Sequence, residues 1–198
     1  MPQHTLRWLE LVFAAILMMN ASPAQSDDGN RQPSDDVLTA TQPDEQTQNM
    51  GVGRANHRFF NVHLGFGAAF GACLAARDGQ RVIALEGDGS FQMSAQELSS
   101  MARYDCPAIV FVVNNKGYTA ERLIHDGPFN DIAAWRYHQL PAAFGGVGME
   151  VRTEDELDAA LALAETHNGP GPLLIEVHID PWDASEAFTL MSETLRSH

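Results

Sequence analysis

Basic residues are scarce in this sequence. Twelve Lys and Arg stand against 26 Asp and Glu, a formal net charge of -14. Nucleic acid is therefore excluded as a partner, because its phosphates need a basic surface. An anionic small molecule can still be held, through local backbone N–H groups or through a metal ion. Cysteine is nearly missing. Cys73 and Cys106 have no metal-ligand spacing, so they read as ordinary buried thiols of a reducing compartment. None of the eight histidines forms an H-x-H or H-E-x-x-H pattern, which excludes the helix-borne zinc motifs. A membrane-spanning run is absent too: "LELVFAAILMM" (9–19) is apolar but too short to cross a bilayer.

That run has the length of a signal-peptide core, follows Arg7 and precedes the small residues "ASPA" (21–24). Glu10 inside it fits the other reading, a short amphipathic helix. Residues 1–24 are thus either a signal-like segment or a frayed amphipathic one. Aromatic residues vanish from "QSDDGNRQPSDDVLTATQPDEQTQNM" (25–50), where Asp, Gln, Ser, Thr and Pro dominate. Such a stretch cannot bury enough surface to offset its ordering entropy. Residues 25–55 read as a disordered acidic linker, and 56–198 as one folded domain.

What is present is a core: 44% of the 198 residues are hydrophobic. Beyond residue 56, helix and strand patterns alternate. "HLGFGAAFGACLAARDG" (63–79) reads as a small-residue helix, its "GFGAAFG" a site of close helix packing. Its glycines do not fit a dinucleotide fingerprint, and no strand precedes them. "RVIALEG" (81–87), "AIVFVV" (108–113) and "LLIEVHI" (173–179) are continuous apolar strands of the kind buried on both faces. "SAQELSSMARYD" (94–105) and "TEDELDAALALAETH" (153–167) are helices. Each opens with capping-box spacing, Ser94 to Glu97 and Thr153 to Glu156. Strands separated by helices predict an α/β fold, a three-layer sandwich around a mostly parallel sheet.

Ligands of such sheets sit at the C-terminal ends of the strands. Asp88 follows the strand 81–87, flanked by Gly87 and Gly89. Asn114 and Asn115 follow the strand 108–113. If these strands are neighbours, a carboxylate, an amide oxygen and the carbonyl of Gly117 share one crevice. Three such oxygens suit Mg²⁺, which keeps phosphate oxygens in its other positions. Gly87 and Gly89 let a phosphate approach the backbone. Ser90 and N–H groups near a helix start at 94 can donate to it. "DGS" or "NNKG" alone is an ordinary turn; their joint placement after two buried strands is not.

"GDGS" (87–90) followed by "NN" (114–115) resembles the diphosphate-binding signature of thiamine diphosphate-dependent enzymes. Residues 87–146, from "GDGSFQMSAQELSSMARYD" to "YHQLPAAFGG", look like the pyruvate and indolepyruvate decarboxylase branch. "HLGF" (63–66) and "GPLLIEVHIDPWDASEAF" (171–188) are also similar to it. The resemblance implies the thiamine diphosphate-binding fold and the cofactors thiamine diphosphate and Mg²⁺. It assigns Asp88, Asn115 and the Gly117 carbonyl to the metal, and Gly87, Gly89 and Ser90 to the diphosphate. Leu64 matches the apolar wedge that bends the cofactor, and Glu121 the active-site glutamate. The implied reaction is non-oxidative decarboxylation of a 2-oxo acid to an aldehyde and CO₂.

Val62 stands where the family usually has glycine, and Ala120 where a bulkier aliphatic residue is common. The resemblance also implies a homo- or hetero-oligomer with an aminopyrimidine-binding domain, which residues 1–55 cannot supply. A non-catalytic remnant, or a split-enzyme subunit that binds Mg-thiamine diphosphate, is the alternative. The cofactor and substrates imply the cytoplasm, or export if residues 1–24 act as a signal peptide.

Overall fold

A computed structural model describes residues 57–61, 65–76 and 80–196. Residues 1–24, the linker 25–55, Val62 and Leu64 lie outside the described residues. Five strands form one sheet: β1 (His57–Asn61), β2 (Arg81–Gly87), β3 (Ile109–Asn114), β4 (Val147–Val151) and β5 (Leu173–His178). Their order is β1-β2-β3-β5-β4, and every pairing is parallel.

The three central strands are the ones that read as continuous apolar runs. β3 and β5 need that composition because both of their faces are covered. On one face, Val82, Ala84, Val110, Val112 and Leu174 pack with Phe66, Phe91, Leu98 and Met101. These come from helices α1 (Gly65–Ala75), α2 (Asp88–Ser94) and α3 (Glu97–Arg103). On the other face, Ile83, Ile109, Phe111 and Ile175 pack against Leu157, Ala160 and Ala164 of α5 (Glu154–Thr166). The three layers match the fold expected from the sequence. Two further helices, α4 (Thr119–Ile124) and α6 (Glu186–Arg196), pack on each other. Among the described residues no helix is long and apolar enough to cross a membrane.

Thr153 caps α5 as expected: its hydroxyl accepts from the Glu156 N–H, and Glu156 accepts from the Thr153 N–H. The Ser94 box does not form. A capping residue needs extended backbone, but Ser94 is the last residue of α2, and Ala95 (φ -56°, ψ -26°) and Gln96 (φ -61°, ψ -17°) after it are helical too. The segment is therefore two short helices with a bend between them, the first starting at Asp88 rather than 94. α1 differs from expectation in two ways: β1 precedes it, where the sequence shows no strand pattern, and its glycines do not pack closely. A Cβ on Gly67 or Gly71 would meet nothing within 4 Å, so Phe66 and Ala69, not the glycines, carry the packing there.

Candidate functional site

β2 and β3 are neighbours, with Gly87 opposite Val113. Asp88 and the Asn114–Asn115 pair thus leave the sheet side by side. Asp88 is buried, 1% exposed. Its Oδ1 accepts from the Gly89 N–H (2.8 Å) and its Oδ2 from the Gly117 N–H (3.1 Å). Burial pushes its pKa up. The N–H groups of Gly117, Gly89 and Lys116 and the Arg122 guanidinium pull the other way.

The turn after β3 needs unusual backbone. Lys116 has φ 62° and Gly117 φ 130°. A Cβ on Gly117 would stand 2.1 Å from the Asn130 carbonyl oxygen, so only glycine fits. The turn is closed by Arg122, itself buried. Its guanidinium donates to Lys116 O (3.2 Å), Pro181 O (3.1 Å) and Asp131 Oδ1 (2.9 Å). Sequence reasoning passed over Arg122 because an arginine in a short amphipathic helix carries no signal of burial.

The Asn115 amide can be turned two ways. One of its terminal atoms lies 2.8 Å from Thr119 Oγ1. The other lies 2.8 Å from the Gly117 carbonyl and 3.1 Å from Asp88 Oδ1. If the Thr119 hydroxyl gives its single proton to Pro181 O (2.8 Å), it accepts from Asn115. That turns Nδ2 toward Thr119 and Oδ1 toward the other two oxygens. Three oxygens then meet with no proton between them, and a cation is what stabilises such a cluster. Their separations match the edge of an octahedron with metal–oxygen bonds of about 2.1 Å, the geometry Mg²⁺ prefers. With no cation the amide is better turned over, donating to Gly117 O and Asp88 Oδ1 while its oxygen takes the Thr119 proton, leaving Pro181 O to the Arg122 guanidinium.

The family described as "Thiamine pyrophosphate enzyme, C-terminal TPP binding domain" matches residues 47–177. The chain belongs to this family. Pyruvate decarboxylase of Neurospora crassa is 44% identical over 131 residues, covering 63% of this chain and 23% of the relative. Pyruvate decarboxylase 1 of Pisum sativum is 43% identical over 134 residues, covering 65% and 22%. Benzoylformate decarboxylase from Polynucleobacter necessarius superposes with TM-score 0.55 at 26% identity, over 61% of this chain and 24% of that one. The 4-hydroxybenzoylformate decarboxylase of Rhodococcus jostii RHA1 gives 0.54 at 31%, over 60% and 23%. The chain thus spans about a quarter of the length of the pyruvate decarboxylases it matches. Thiamine diphosphate with Mg²⁺ is the cofactor that membership in the thiamine pyrophosphate family implies.

The other residues singled out in the sequence are placed less simply. Gly87 faces open space, with only Ser90 Oγ near a Cβ built on it (3.7 Å). Beside Gly89, a Cβ would stand 2.5 Å from the ring of Tyr118. That glycine therefore makes room for Tyr118, and its N–H is taken by Asp88. The Ser90 hydroxyl sits 3.2 Å from Glu86 Oε2 and 3.0 Å from Gly87 O, so its proton points inward. Glu121, in the first turn of α4, and Ala120 beside it are exposed. Glu86, at the end of β2, was not anticipated. It is 2% exposed, and its Oε1 has no hydrogen-bond partner among the described residues.

Proposed function

We propose that this chain is the diphosphate- and Mg²⁺-binding domain of a 2-oxo acid decarboxylase of the pyruvate or indolepyruvate type, releasing an aldehyde and CO₂. The convergence of Asp88, Asn115 and Gly117 oxygens at the ends of two adjacent parallel strands carries the reading. Asp88 Oδ1, Asn115 Oδ1 and the Gly117 carbonyl hold the metal, and the metal holds the diphosphate. Gly87 leaves the diphosphate room; the backbone at Gly89 and the hydroxyl of Ser90 border it. Leu64 would serve as the apolar wedge that bends the cofactor. Bound thiamine diphosphate supplies the nucleophilic carbon and the electron sink for loss of CO₂. Glu121 exchanges a proton with the reacting substrate. The domain runs from residue 56 to the chain's end, preceded by the segment 1–24 and the linker 25–55.

An aminopyrimidine-binding domain completes the site, from another segment or another chain, in a homo- or hetero-oligomer in the cytoplasm. Exposure of Leu74, Met93, Phe129, Trp182, Leu190 and Met191 supports such an interface. Glu121 is exposed as well and gains its apolar surroundings from that partner. Match to only about a quarter of the pyruvate decarboxylases' length also fits the second reading, a split-enzyme subunit or a remnant that binds Mg-thiamine diphosphate without turnover. Calorimetry with Mg²⁺ and thiamine diphosphate tests the site. Asp88→Ala should abolish Mg²⁺-dependent cofactor binding while the fold persists; unchanged affinity in a folded variant refutes the assignment.

A further inference from the structure

A second polar cluster lies at the C-terminal ends of β5 and β4, beyond β3 from Asp88. The sheet register sets Glu150 directly opposite Glu176 on neighbouring strands. Like charges so placed repel. Glu176 is only 1% exposed, so water cannot screen it, and a positive group must compensate. Two imidazoles reach in. His138, from the 3₁₀ turn Tyr137–Gln139, has Nδ1 2.5 Å from Glu176 Oε2. His178, the last residue of β5, has Nε2 2.9 Å from Glu150 Oε1 and 3.3 Å from Glu176 Oε1. One ligand atom from each of His138, Glu150 and Glu176 lies within 4.8 Å of the other two.

The carboxylates are oriented by other groups. Asn114 Nδ2 donates to Glu176 Oε1 (2.6 Å), and the His138 N–H to Oε2 (3.0 Å). Arg152 Nη2 donates to Glu150 Oε1 (2.7 Å). Hydrogen bonds of this outer kind fix metal ligands in place. We propose that His138, Glu150 and Glu176 bind a transition-metal dication of the zinc class, with His178 orienting Glu150, at a site separate from the Asp88 cluster. Mixed imidazole and carboxylate donors suit zinc, whereas Mg²⁺ prefers oxygen alone. Three protein ligands leave a fourth position, which opens on a cleft of about 480 Å³ lined by Lys116, Trp135 and Arg136. Water or a small anion fills it.

The competing arrangement is a network in which protons, not a metal, sit between imidazoles and carboxylates. Zinc titration of the chelator-treated full chain, by calorimetry, separates the two. The metal site predicts a single zinc ion per chain. Binding should be at least about tenfold weaker in Glu150→Gln and in His138→Gln, and about 10- to 100-fold weaker in His178→Gln. Asp88→Ala should bind zinc as the parent does, so this result does not depend on the cofactor site. Co²⁺ in place of zinc should give the intense visible absorption of a four-coordinate centre, lost in Glu150→Gln. Both Glu150 and His138 are partly exposed, so their Gln variants keep the fold, as circular dichroism will show. Zinc affinity unchanged in these two variants, or no zinc binding by the parent, overturns the site in favour of the proton network.

Discussion

Gly117→Ala should be among the costliest methyl groups that can be added to this chain. The structure gives two separate reasons. Backbone strain at a positive φ (130° here) costs about 1–3 kcal/mol in a non-glycine residue. The new Cβ would also stand 2.1 Å from the Asn130 carbonyl oxygen, where contacts under 3.0 Å are essentially never seen. Asn130 must retreat by about 0.9 Å, the difference of those two distances. That retreat breaks the bond from the Tyr118 N–H to Asn130 O (2.9 Å), worth about 0.5–1.5 kcal/mol net. The sum is about 1.5–4.5 kcal/mol.

Gly145 is the internal control. Its φ is 84°, but a Cβ there meets nothing within 4 Å. Gly145→Ala should therefore cost only the left-handed strain, about 1–2 kcal/mol. Urea denaturation of the metal-free chain, followed by tryptophan fluorescence, compares the two. With a slope of about 1–3 kcal/mol per molar urea, the Gly117 variant should unfold roughly 1 M before the Gly145 variant. Equal midpoints would refute the clash argument, because the Asn130 carbonyl crowds Gly117 and nothing crowds Gly145.

Two further predictions concern titrating groups. Burial pushes the Glu86 carboxyl up from 4.5 to about 7, against the opposing hydrogen bond from Ser90. A raised folded-state pKa means that this group stabilises the fold fully below pH 4.5 and loses that contribution as pH rises through 7. Glu86→Gln should flatten that part of the stability curve of the metal-free chain; a parallel curve would sink the assignment. Burial, with the nearby Cys106 thiol adding to it, pushes Cys73 up from 9.0 to about 12. Near pH 8, iodoacetamide should then label native Cys73 roughly a thousandfold more slowly than urea-unfolded chain, and equal rates by mass spectrometry would show an accessible thiolate.

The central strands and the Asp88, Asn115 and Gly117 cluster were legible because each signal is local. A strand covered on both faces is apolar at every position, and its end is marked by the first polar residue. β4 was not legible. "VGMEV" lies at a sheet edge, where half-exposed positions admit Gly and Glu and blur the pattern. The bend at Ala95–Gln96 was hidden because "SAQE" satisfies the capping rule in letters while its backbone is already helical. The Glu150, Glu176, His138 and His178 cluster has no motif at all. Its members are scattered over about 40 residues and meet through sheet register and the turn that carries His138, which no single stretch of sequence encodes.

The asparagine that ends β3 and the one after it look like a duplication, yet the pleat sends successive side chains to opposite sides. Asn114 reaches Glu176, while Asn115 meets Thr119 and the oxygens around Asp88. A doubled letter thus carries two separate addresses. Changing either side chain should disturb one cluster and spare its neighbour. Changing the length of the strand is another matter. One residue inserted before Asn114 would reverse both directions at once, delivering each amide to the wrong side. At this strand end, the chain can tolerate altered chemistry far better than an altered count.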